Sequence, residues 1–226
     1  MTAVLPPPRT SPQLPPPRAL TRVEGGERLH ALLWVADPGR RMISSAVLGG
    51  GIGERAWVLN AQVAHGYRRT DPDRHLAGLA AAAGARGPGV GLMTAADVSA
   101  YAHAHDEGAD AFVTAGIDVR GWAAVPGAGT GGPQAPGTIN IVAAVPVPLS
   151  DAALVNAVAT VTEAKVQALV GAGHDCSGTP TDAVCVISHI PGPGEREYAF
   201  AGPRSLWGAR LARAVHGAVR AAVPAA

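Results

Sequence analysis

The chain has 226 residues, enough for one sizeable core, and its 18 Lys+Arg against 17 Asp+Glu leave a net charge of +1. That balance excludes the broad basic field that nucleic acid or an anionic membrane surface calls for. A hydrophobic fraction of 47% outweighs the 29 glycines and 20 prolines and excludes a disordered chain. Cys176 and Cys185, the two cysteines, have no Cys-x-x-Cys spacing and form no disulfide framework. No apolar run reaches the roughly 20 residues that cross a bilayer, and the N-terminus lacks a signal-peptide pattern. The expectation is a cytoplasmic protein with reduced thiols.

In chain order, residues 1–20 carry Leu-Pro-Pro-Pro-Arg twice and read as a disordered, polyproline-favouring tail ahead of a single domain over 21–226. "LHALLWV" (29–35) and "RMISSAVLGGG" (41–51) read as two strands of a hairpin turned by Asp37-Pro38-Gly39. "ERAWVLNAQV" fits a strand or a short helix. "DPDRHLAGLAAAAGARG" predicts a helix capped by Asp71 or Asp73 and stopped by Gly84 or Gly87. Thr94 and Asp97 form a capping-box pattern, which predicts a helix to about Glu107.

"AFVTAGI" then reads as a short buried strand, and a Gly/Pro-rich loop from Pro126 to Gly137 leads into the strand "TINIVAAVPV". Ser150 caps a long helix from Asp151, "DAVCVIS" is a further strand, and "SLWGARLARAVHGAVRAAV" closes the chain as an amphipathic helix. Strands interleaved with helices over one core give an α/β fold, a mixed layered sheet with packed helices.

Several chemical motifs can be weighed on this frame. Gly51-Ile52-Gly53 imitates a dinucleotide fingerprint, but no clean helix follows Glu54, as that motif requires. His103 and His105, on the predicted helix, point about 200° apart and cannot share a metal. Neither Gly-x-Ser-x-Gly nor His-Glu-x-x-His occurs, which disfavours a serine elbow and a zincin. On the helix from Asp151, Leu154, Val155, Val158, Val161, Val166 and Leu169 share an apolar arc that also takes in Thr162 and Lys165, with Glu163 on the opposite side. A lysine there snorkels to solvent or meets a carboxylate, and Asp175 and Asp182 are the nearest down the chain.

Six segments in sequence, "SSAVLGGG" (44–51), "TAG" (114–116), "GTINI" (137–141), "TEAK" (162–165), "SGTPTDAV" (177–184) and "FAGPRSLWGARLARAV" (200–215), resemble the adenosylcobinamide amidohydrolase family. The similarity runs from about Arg41 to Val219. It implies hydrolysis of the amide between aminopropanol and the corrin-ring propionyl arm, giving adenosylcobyric acid for corrinoid salvage. It also implies no cofactor or metal of the protein's own, since the corrinoid substrate carries its cobalt.

Amide hydrolysis needs an attacking oxygen, a proton for the departing amine and donors for the oxyanion. The resemblance points to Asp182 as general base on a water or on the Thr181 hydroxyl, with Lys165 holding it or protonating the leaving group. The backbone around Gly178, and Thr179 or Asn140, are the oxyanion donors. Ser44, Ser45, Gly50 and Gly51 are assigned to the corrinoid, with Asn60 and Thr138 added to the binding set, and Glu163 enters as a member of the Thr-Glu-Ala-Lys motif. Without the resemblance, Asp182 and its threonines would serve only to cap a turn. Pro180 stands where the family pattern has glycine, which fixes φ near about −65° there. Two other readings are a non-catalytic corrinoid-binding protein and a self-cleaving hydrolase that breaks at Gly137-Thr138 to expose a threonine nucleophile. Self-association is left open.

Overall fold

The computed structural model describes residues 14–36, 39–125 and 137–226. The tail before Leu14, the Asp37-Pro38 dipeptide and the loop from Pro126 lie outside the described residues. The elements are β1 (Arg18–Glu24), β2 (Glu27–Val35), β3 (Arg40–Ser44), β4 (Gly51–Glu54), β5 (Trp57–Gln62), α1 (Pro72–Ala82) and β6 (Gly89–Thr94). They continue with β7 (Ala102–Asp106), β8 (Ala109–Gly116), β9 (Thr138–Ala144), α2 (Asp151–Gly171), β10 (Ala183–His189) and α3 (Leu206–Ala222).

Two mixed sheets stack face to face, one in the order β1-β2-β5-β6 and the other β4-β3-β10-β9-β8-β7. Alternation along each strand divides the core into three. Leu32, Trp34, Val58, Leu92, Phe112, Val142 and Ile187 meet between the sheets. Leu33, Trp57, Leu59, Leu76 and Ala80 seal α1 onto the first sheet. Ala111, Val113, Ile141, Val186, Leu154, Val161, Leu211 and Val215 seal α2 and α3 onto the second. The layers therefore run helix, sheet, sheet, helices, and strands covered on both faces read as the near-continuous apolar runs seen in the sequence.

Four sequence expectations are corrected. β2 and β3 form no hairpin: β2 is flanked by β1 and β5, so both its edges are taken, and β3 crosses to the other sheet to pair with β10 and β4. The helix expected over 94–107 is a 3-10 turn at Val98–Ala100, closed by Asp97 accepting from the Ser99 amide, followed by strand β7. Here the period of two in Ala-His-Ala-His prevails: Ala104 packs against the α3 side and both histidines face the other way, while Thr94 Oγ1 caps only the Ala96 amide, at 3.0 Å. Ordered chain begins before residue 21, because Leu14 is buried and the alternating "RALTRVE" pairs with β2 from Arg18 onward. Finally, the buried face of α2 is its alanine side, Ala153, Ala157, Ala164 and Ala168 with Leu154, Val161 and Leu169, since small residues let α3 approach closely; Val155 is 59% exposed.

α1 forms where expected, with Gly84 at φ +81° behind its end. α2 starts at Ser150, whose hydroxyl accepts from the Ala153 amide at 3.2 Å. It is the one helix among the described residues long and apolar enough to cross a membrane, and half of that apolar stretch is buried within the fold.

Candidate active site

β9 and β10 run parallel, with Asn140 opposite Ala183, so their N-terminal ends lie side by side. The segment 177–182 enters β10 there, and α2 crosses above it. Lys165, 7% exposed, ion-pairs with Asp182 Oδ2. The lysine thus meets a carboxylate rather than snorkelling, as a buried ammonium demands. Asp182 Oδ1 accepts from the Ile139 amide at 2.9 Å and from the Thr179 hydroxyl, and Oδ2 accepts from Lys165 Nζ and from the Thr179 amide at 3.2 Å. Those four donors fill the roughly four lone-pair positions of a carboxylate.

The hydroxyls around it have fewer protons than contacts. Thr179 Oγ1 lies 2.8 Å from the Gly137 carbonyl as well as against Asp182 Oδ1, so its one proton serves one acceptor at a time. Thr181 Oγ1 is 2.9 Å from that same carbonyl and 2.6 Å from Thr138 Oγ1. Gly178 closes the centre from above at φ +151°: a Cβ there would overlap Asp182 Oδ2 and stand 2.5 Å from Lys165 Nζ. Gly121 bridges to Gly178, donating to its carbonyl at 3.0 Å and so fixing the segment that covers the ion pair.

Next to this centre, Ser44 and Ser45 clip the start of β10. Ser44 Oγ donates to the Val184 carbonyl at 2.8 Å and accepts from the Ala46 amide, so its hydroxyl is spent within the fold. Ser45 Oγ accepts from the Val184 amide at 3.1 Å and sits at the surface with its proton unassigned, beside the exposed Gly50 and Gly51. Between the sheets, Asn140 Nδ2 donates to Asn60 Oδ1 at 2.8 Å and to the Met93 carbonyl at 3.1 Å, and Asn60 Nδ2 donates to Thr114 Oγ1 at 2.9 Å. Both Asn140 protons are consumed, so it has none for an oxyanion, and its Oδ1 is buried facing no donor among the described residues.

Asp182, Lys165, Thr179, Thr181, Thr138 and Gly178 are therefore one contiguous cluster, Ser44, Ser45, Asn60 and Asn140 flank it, and Glu163 stays outside, exposed on the far face of α2. Sequence reasoning missed the Ile139 amide, Gly121 and Thr114; Ile139 and Thr114 lie in the Gly-Thr-Ile-Asn-Ile and Thr-Ala-Gly segments, whereas Gly121 carried no signal.

Two other features lie apart. His103 Nε2 and His105 Nδ1 each approach Asp110 Oδ1 at 3.0 Å, because on a strand residues two apart share a face. His105 Nε2 accepts from the Gly108 amide at 3.1 Å, which fixes the proton on Nδ1 as a donor to Asp110 and leaves that imidazole no lone pair for a metal. Among the described residues no group of three or more His, Cys, Asp or Glu is arranged to hold a metal ion. A cavity of about 480 Å³ lined by Leu48, Arg55, Trp57, Ala80 and Pro88 sits against α1, on the side of the first sheet away from Lys165.

The fold and centre define a mixed α/β protein with a buried lysine–aspartate pair beside the N-terminal ends of two parallel strands, β9 and β10. A model of the adenosylcobinamide amidohydrolase family matches residues 16–226, and the chain belongs to that family. It is thereby an amidohydrolase. An adenosylcobinamide amidohydrolase of Methanosarcina mazei is 30% identical over 187 residues, covering 78% of this chain and 87% of that protein. The crystal structure of the PH0078 protein from Pyrococcus horikoshii OT3 superposes with a TM-score of 0.48 at 12% identity, covering 91% of this chain and 81% of that one.

Proposed function

We propose that the chain hydrolyses adenosylcobinamide at the amide joining aminopropanol to the corrin-ring propionyl arm, releasing adenosylcobyric acid for corrinoid salvage. The observation that carries the reading is the buried Lys165–Asp182 pair, built from the family segments 162–165 and 177–184 and covered by Gly178. A buried ion pair is a weak stabiliser, so its cost is better understood as chemistry.

In the resting centre Asp182 has no open lone pair. When the Thr179 hydroxyl turns to the Gly137 carbonyl, Oδ1 opens and takes a proton from a water attacking the scissile carbonyl carbon. Lys165 gives a proton to the amide nitrogen as the C–N bond breaks, and the aminopropanol leaves as a neutral amine. The carboxyl proton of Asp182 then passes to the neutral Lys165 amine across their contact, restoring carboxylate and ammonium. Each turnover consumes one water, and the acid and the amine that leave exchange their final proton in solvent.

The corrinoid brings its own cobalt, and no step assigned to this chain needs a resident cofactor. Reaction in the cytoplasm is supported by Cys176 and Cys185, both free and buried. Incubation of the purified chain with adenosylcobinamide, followed by mass spectrometry for loss of aminopropanol, tests the reading; an unchanged substrate mass rejects it. Asp182→Asn should bind adenosylcobinamide but not turn it over.

A further inference from the structure

Of the four tryptophans, Trp34, Trp57 and Trp207 are 2%, 6% and 3% exposed, core residues by any measure, whereas Trp122 is 44% exposed. An exposed indole with no core to fill is expected to swing freely, but this one is fixed. Its Nε1 donates to Asp175 Oδ1 at 2.9 Å, and the backbone on both sides is tied to the segment over the active centre. Gly121 exchanges bonds with Gly178 and Ser177, and the Ala123 amide donates to Ser177 Oγ at 2.9 Å. Trp122 is thus one residue from Gly121, which pairs with Gly178, which lies directly on Lys165 and Asp182.

The cluster of Lys165, Asp182 and three threonines is largely buried beneath Gly178, and of the substrate the amide arm alone is to reach it. The broad ring system bearing that arm must rest outside it, and a rim needs a flat apolar surface there. We propose that Trp122 is that surface, a stacking platform for the corrin ring, with Asp175 as the positioning residue that presents the indole face. The proposal rests on the corrinoid reading above and adds a specificity-determining residue to it.

Equilibrium dialysis of adenosylcobyric acid, which keeps the ring and lacks the scissile amide, reads the platform alone. Trp122→Ala should weaken binding about tenfold, Trp122→Phe about threefold, and Asp175→Ala by an intermediate factor, on the scale of one aromatic stacking contact. With adenosylcobinamide as substrate, KM should rise by the same factors while kcat changes less than twofold, and the thermal midpoint of each variant should match the parent. An unchanged dissociation constant in folded Trp122→Ala overturns the proposal. Should the parent fail to hydrolyse adenosylcobinamide, the catalytic reading falls, and the dialysis series still decides the platform by whether Trp122→Ala loses ring binding. A parent that binds no corrinoid overturns both.

Discussion

Gly178 lies on Asp182 so closely that the carboxylate leaves no space for a side chain: a Cβ would overlap Oδ2, and Lys165 Nζ is 2.5 Å from the same point. The backbone φ of +151° is in any case one that residues with side chains rarely adopt. Gly178→Ala should therefore lose about 2 kcal/mol in chemical unfolding through strain. In the folded fraction it should lose turnover by 100-fold or more, because the methyl group splits the ion pair. A folded Gly178→Ala variant with near-normal kcat would show that the pair is not needed intact.

Lys165 and Asp182 act as a unit, and a double-mutant cycle measures this. Lys165→Met leaves a largely buried carboxylate that has lost its cation and should cost about 3 kcal/mol. Asp182→Asn leaves the ammonium without its counter-charge and loses stability for the same reason. Since either change breaks the same contact, Lys165→Met/Asp182→Asn should be less destabilised than the sum by about 1–3 kcal/mol in urea unfolding. All three should have no measurable turnover. Additive free energies would indicate that the two groups are not coupled.

Thr179 has one proton for two acceptors, and the mechanism uses that choice to open Asp182 Oδ1. Thr179→Val keeps the shape but cannot hold the carboxylate or release it, and kcat should fall about 10- to 100-fold with KM nearly constant. Thr179→Ser keeps the hydroxyl and should retain most activity. An active Thr179→Val with an inactive Thr179→Ser would move the role from the hydroxyl to the methyl group.

The parts of the molecule that were legible from sequence are those set by local pattern. Ser150 as a helix cap, Gly84 behind α1 and a lysine within an apolar stripe each follow from spacing alone, but for the lysine spacing left snorkelling, Asp175 and Asp182 as alternatives, and the fold decides for Asp182. What could not be read depends on partners distant in the chain. The turn residues at 37–39 suggest a hairpin, but β2 is already paired on both edges, and nothing in that stretch records it. Thr114 and Asn140 are cross-strand partners in one sheet and Asn60 comes from the other, so stacking of the sheets is what brings Asn60 to them, and only that contact shows that Asn140 has no proton left to donate. For Ala102–Asp106 two local signals compete, a capping box and a period of two, and pairing with β8 decides between them.

Asp110, 0% exposed at the start of β8, meets both His103 and His105 because Ala102–Asp106 is a strand that pairs with β8. It stands opposite Ala144, whereas Thr114 stands opposite Asn140, which is four residues or about 13 Å along the strand toward the active centre. Asp110→Ala removes the acceptor shared by two imidazole N–H groups and should destabilise the fold by about 2 kcal/mol. Turnover of the folded protein should stay within twofold of the parent. A variant of normal stability and lost activity would place this cluster in the chemistry instead.

Cys185 lies between the sheets with no exposure, and burial pushes its thiol from 9.0 up to about 12, against a smaller opposing effect of the Ser44 contact. A raised folded value means that the unfolded chain releases this proton first. Below about pH 9 both states hold it and the thiol does not affect stability; between there and pH 12 the unfolded state is favoured progressively, by up to about 1.4 kcal/mol per pH unit. Urea unfolding at pH 8, 9, 10 and 11 should therefore give a falling free energy whose slope is steeper in the parent than in Cys185→Ala, since tyrosines and lysines titrate in both. Equal slopes would mean that the buried thiol contributes nothing to alkaline unfolding. The same burial predicts that neither cysteine reacts with a disulfide reagent at pH 8 until the protein is unfolded, when both do.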